Sequence, residues 1–76
     1  MKAISGITGK MYEAEDCVFF RNCVQSAYYI EWGAELVDIF TGGDHKLVCV
    51  FRKSDHIKYR NKWGTRNNND RDDVNG

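Results

Sequence analysis

The segment from Glu35 to Arg52 constrains this chain more than any other. Two runs rich in β-branched and apolar residues, Leu36-Val37-Asp38-Ile39-Phe40 and Leu47-Val48-Cys49-Val50-Phe51, flank Thr41-Gly42-Gly43-Asp44. That arrangement predicts a β-hairpin turning at the paired glycines. The second run has no polar interruption, so it reads as a central strand covered on both faces. Asp38 interrupts the first run and places it less deeply. With 76 residues there is room for one core, and a chain this short buries only about 60% of its unfolded surface. The ten aromatic side chains must therefore nearly all converge on that one place.

Upstream, Glu15 to Trp32 carries Phe19, Cys23, Ala27 and Ile30 at spacings of three and four, with Phe20 and Val24 beside them. The periodicity predicts an amphipathic helix. Asp16 is its expected N-cap and Gly33 its C-terminal stop. Downstream, Ser54 is expected to open a short helix with Asp55 in its first turn. It should end at Trp63 and Gly64, with Ile57, Tyr59 and Trp63 folding back on the sheet. Residues 2–12 supply one short strand, from Ala3-Ile4-Ile7 or from Met11-Tyr12. A first strand laid beside its partner across the long helix would form a right-handed crossover. From Asn67 the composition is Asn, Asp and Arg with a single Val, which predicts a disordered tail over 67–76 behind one domain at 1–66. The expected fold is α+β, a small antiparallel sheet with helices on one side in the order β-α-β-β-α.

Eleven basic and eleven acidic residues balance, which argues against a whole-protein electrostatic partner such as duplex DNA or an anionic membrane. The charge is segregated, however. Residues 1–45 hold three basic and seven acidic groups, residues 46–66 seven basic and one acidic. No run approaches a membrane span, and the first twelve residues lack a secretory apolar stretch. Cys17, Cys23 and Cys49, an odd set, are expected as free thiols in a reducing cytoplasm.

Chemical motifs are sparse. Gly6-Ile7-Thr8-Gly9-Lys10 resembles a fragment of a phosphate-binding loop, but Ile4 stands where the first glycine belongs and Met11 where the hydroxyl belongs. The cysteines with His45 and His56 lack zinc-ligand spacing, and Cys23 and Cys49 read as small buried hydrophobes. Cys17, at the expected helix start, would have a lowered pKa. No catalytic arrangement is legible, and neither a metal nor a cofactor is expected. Two surfaces are candidates for binding. Tyr29, Trp32, Glu31 and Glu35 form an aromatic patch with an acidic rim, suited to a protein partner. Lys58, Lys62 and Arg66 recur at four-residue steps and suit nucleic acid, with Tyr59 or Trp63 available to stack on a base.

Tyr12 with Asp16, the helix end Ala27-Tyr28-Tyr29-Ile30 with Gly33, the hairpin of Leu36–Ile39 with Leu47–Phe51, and a closing helix to Trp63 together resemble a family of short uncharacterised proteins of bacteriophages and bacterial mobile elements. The resemblance covers Tyr12 to Trp63. It implies a virus-encoded accessory protein acting in a host cytoplasm. With no catalytic arrangement legible, the leading expectation is a non-enzymatic binding module with a host or phage protein as partner. A small RNA- or DNA-binding protein is the alternative, and homodimerisation through an open sheet edge is compatible with either.

Overall fold

The structure, a computed structural model, describes residues 1–75, with the side chains of residues 1–65. It is an α+β fold built in three layers. A hairpin of β1 (Lys2–Ile4) and β2 (Met11–Glu13) comes first, then a 3-10 turn at Ala14–Asp16, and β3 (Cys17–Phe20). The helix α1 (Cys23–Trp32), the strands β4 (Asp38–Thr41) and β5 (Leu47–Arg52), and the helix α2 (Lys53–Asn75) follow. β5 lies between β3 and β4 in an all-antiparallel sheet, with Phe19 opposite Val50 and Phe40 opposite Val48. The unbroken apolar run is thus the central strand, as its composition requires, and Val48 to Phe51 are buried.

Period-two alternation divides the sheet between two cores. On one face Phe20, Ile39, Cys49 and Phe51 meet Tyr29 and Ala34 beneath both helices. On the other, Cys17 and Val50 meet Val37 and Tyr12 beneath the β1–β2 hairpin. Both candidate strands in residues 2–12 therefore form, and they pair with each other. The β4–β5 turn encloses Gly43, Asp44 and His45, closed by Gly42 N–H to Lys46 O at 2.9 Å and His45 N–H to Gly42 O at 3.0 Å. His45 takes the left-handed conformation, φ 62°.

The order β-α-β-β-α holds from Cys17 onward, but its first strand is a segment the periodicity assigned to the helix. Cys17-Val18-Phe19-Phe20 is extended, and α1 begins only at Cys23, capped by Asn22, whose side chain accepts from Gln25 N–H at 3.1 Å, rather than by Asp16. Phe19, Cys23, Ala27 and Ile30 are all exposed. The face that turns inward is Ser26, Tyr29 and Trp32, because with Phe19 held in a strand only Cys23, Ala27 and Ile30 remain of the expected stripe, and the Tyr and Trp rings bury more apolar area than those three small or medium side chains. β3 joins β5 antiparallel, so no crossover arises. Cys23 is exposed and Cys49 buried. Cys17 is a buried strand residue instead of a helix-start thiol, and burial pushes its pKa up.

α2 starts at Lys53 with Asp55 in its first turn, and Gly64 does not stop it. Tyr59 and Trp63 pack on the helical core as expected, whereas Ile57 is exposed. The polar segment 67–76, expected to be disordered, lies outside the residues whose side chains are described. No described helix is long and apolar enough to cross a membrane.

Candidate functional site

Gly33 ends α1 with φ 115°, and the reversal carries the chain to Ala34, whose N–H donates to Tyr29 O at 2.9 Å. That reversal lets α2 lie along α1. Tyr59 Oη donates to the terminal carbonyl of Trp32 at 3.0 Å, and Asp55 accepts from Glu35 N–H at 3.1 Å. A Cβ at position 33 would lie 3.1 Å from Tyr59 Oη, so close helix approach and left-handed backbone both call for glycine there.

The two surfaces expected from the sequence consequently meet in one seam. Lys62 Nζ lies 4.7 Å from the centroid of the Trp32 ring, and Lys58 Nζ 5.4 Å from that of Tyr59. Both are cation–π contacts between a residue of the basic ridge and an aromatic ring. Tyr28 extends the row, with ring centroids 5.6 Å from Trp32 and 6.0 Å from Trp63. Trp32, Tyr28, Tyr59 and Trp63 are half-buried, and Glu31 is exposed on the next position of α1.

Two of the expected site residues fall elsewhere, and a third is not described. Tyr29 is fully buried at the centre of the helical core, so it is no surface anchor. Glu35 turns away to pair with Arg52 across the β5 terminus. The side chain of Arg66 lies outside the described residues. Arg60 and Lys53, which the four-residue spacing passes over, are exposed on α2 and add to its charge, giving four basic residues against Asp55 over 53–65.

Tyr29 reaches a polar chain beneath this seam. Its hydroxyl lies 2.9 Å from His56 Nδ1 and 3.4 Å from Gln25 Nε2. Burial, moderated by the Gln25 hydrogen bond, raises the Tyr29 pKa. Burial and then the nearby Arg60 guanidinium hold His56 below its ordinary value. The Phe20 ring, 5.3 Å from that of His56, covers the pair. His45 stands at the far hairpin turn and Cys17 on the opposite sheet face, so neither joins His56. Among the described residues no three of His, Cys, Asp or Glu gather closely enough to hold a metal ion.

A second polar cluster, for which no residue pattern offers a cue, fixes the β1–β2 hairpin. Buried Asp38 accepts from Tyr12 Oη at 2.7 Å, Gly6 N–H at 2.9 Å and Ile39 N–H at 2.8 Å. Burial alone would raise the Asp38 pKa, but these three donors outweigh it and hold the carboxyl below its ordinary value. Burial and then the Asp38 carboxylate push Tyr12 up to about 12. Asp38 alone in a strand looked like a flaw in an apolar run; only the long-range approach of Tyr12 and Gly6 gives it partners.

No protein-family model matches the chain, and no curated protein and no solved structure matches it either. The resemblance to phage and mobile-element proteins gains nothing from these comparisons, and any functional reading starts from the seam itself.

Proposed function

We propose that this chain is a non-enzymatic binding module that engages a protein partner through the α1–α2 seam. The observation that supports the reading is the meeting of Trp32 with Lys62 at 4.7 Å, which joins the aromatic patch and the basic ridge into one amphipathic surface. Half-buried Trp and Tyr side chains are rigid, present large apolar area and keep a polar edge, which is the chemistry of protein-interface anchors. Exposed Glu31 and Lys62 on either helix supply charges of both signs for register. In the setting that the phage resemblance implies, the partner would be a host or viral protein in the cytoplasm.

Affinity capture from cell extract, with and without nuclease, tests this. The expected result is a protein retained after nuclease treatment, lost with Lys62→Glu and weakened with Glu31→Lys, both exposed changes that keep the circular dichroism spectrum, Lys62→Glu lowering the melting temperature by no more than a few degrees through loss of its contact with Trp32. Capture indifferent to both substitutions, or no capture, would count against the seam.

A second reading, a single-stranded RNA- or DNA-binding protein, is favoured by the exposed Lys53, Lys58, Arg60 and Lys62 of α2. Phosphate contacts release counterions, so affinity for a mixed-sequence oligonucleotide would fall steeply as salt rises. Nuclease-sensitive capture together with that salt slope would replace the protein reading.

A further inference from the structure

The side of the molecule opposite the helices is left incompletely covered. The hairpin lies over Val50 and Cys17 but stops short of Phe19 and Phe40, whose rings meet edge to face at 6.3 Å. Between the hairpin and β4 an open concavity of about 430 Å³ is lined mainly by Met1, Ala3, Ile4, Tyr12, Phe19 and Phe40. Ile4, paired with Met11 across the hairpin, itself lines the rim of this concavity. Exposure along it is high: Met1 81%, Ile4 69%, Phe19 45% and Phe40 41%.

Among the described residues eight apolar side chains are buried, while ten large ones are exposed. A chain of this length with that ratio has more to gain from covering surface than from its own interior. We propose that this face binds the same face of a second copy, forming a two-fold homodimer that completes the second core.

Two observations select a second copy over a foreign partner. The first is area. At roughly 200 Å² for a large side chain, the four exposures above leave on the order of 500 Å² of apolar surface around the concavity. Adding a polar rim brings this to the roughly 800 Å² per partner of a standard interface. The second is charge. The rim carries the Met1 ammonium and Lys2 against Glu13 and Glu15, two of each sign. Lys2 and Glu13 stand opposite each other across the hairpin, and the Met1 ammonium reaches Glu13 at 3.6 Å and also Glu15. A balanced rim complements itself when turned through a two-fold axis, as an isologous interface requires, whereas a rim of one sign would select an oppositely charged partner.

Sedimentation equilibrium of the full chain decides the matter. The wild type should sediment at twice the chain mass, with a melting temperature that rises over a roughly hundredfold increase in concentration. Ile4→Glu, at a site already 69% exposed, should give a monomer with an unchanged circular dichroism spectrum and a concentration-independent melting temperature. Phe40→Glu repeats the test from the sheet side should Ile4→Glu perturb the hairpin. A wild type that stays monomeric throughout overturns the proposal, and if that monomer then captures a foreign protein through Ile4, the face belongs to that partner. A dimer that survives both substitutions also overturns it, by placing the interface elsewhere.

Discussion

The two faces of the central sheet are closed by different means. Beneath the helices, Phe20, Tyr29, Phe51, Trp32 and Tyr59 interlock with ring centroids 5.2–6.1 Å apart. Aromatic area supplies that cohesion, and hydrogen bonds such as Tyr29 to His56 serve to satisfy groups that burial would strand. Beneath the hairpin the order is reversed. Few apolar side chains are buried there, and one carboxylate gathers three donors to hold the layer in place. A face built on area should fail as a whole, whereas a face built on one polar hub should fail locally.

The largest expected effect tests the first half of that contrast. Tyr29→Ala removes a fully buried ring and should cost about 3–5 kcal/mol, enough to abolish cooperative unfolding in a domain this small. Retention of a sharp thermal transition would show that the helical layer is not what holds the fold. Asp38→Ala comes next. It strands Tyr12 Oη and the Gly6 N–H and should cost about 2–3 kcal/mol, with amide protection lost in residues 2–13 and kept in β5. Uniform loss of protection would erase the distinction between the faces.

His45→Gly should raise stability by up to about 1 kcal/mol, because the left-handed backbone at φ 62° strains a residue bearing a Cβ. The turn serves both faces, so urea unfolding should shift as one transition; a gain confined to one layer would mean that the turn couples them unequally.

Acid should separate the faces gently. His56 titrates below its ordinary value of 6.5 in the native state. As pH falls through that value the unfolded chain takes up a proton the native chain resists, and stability declines until native His56 is protonated too. Asp38 is held below its ordinary 3.8, so its contribution persists above that pH and is lost only as pH falls further. Chemical denaturation of His56→Gln should flatten the first decline and leave the second. A profile unchanged by that substitution would remove His56 from the account.

These contrasts bear on what the amino-acid sequence could reveal. β5 was legible because an uninterrupted β-branched run has few alternatives, and the paired glycines marked its turn. Cys17 to Phe20 misled because four apolar residues preceding a helix continue its periodicity, so strand and helix patterns coincide over one turn. Asn22, the actual cap, stood inside that apparent period. The seam was half legible: both of its residue sets were visible, but their meeting depends on Gly33 reversing the chain. The patch of Met1, Ile4 and Phe40 gave no signal at all, since exposure is set by where the hairpin stops.

Both tryptophans, Trp32 and Trp63, lie on the helical side, each within about 6 Å of a tyrosine ring, Trp32–Tyr29 at 6.1 Å and Trp63–Tyr28 at 6.0 Å. Intrinsic fluorescence is therefore a one-sided witness. Excited at tyrosine wavelengths, these pairs would transfer energy to indole and report detachment of the helices with good contrast, while the β1–β2 hairpin could lift away unseen. Emission traces from this chain need an independent reporter on the other side, such as a Met11→Trp substitution, before a single sigmoid is taken to describe the whole molecule.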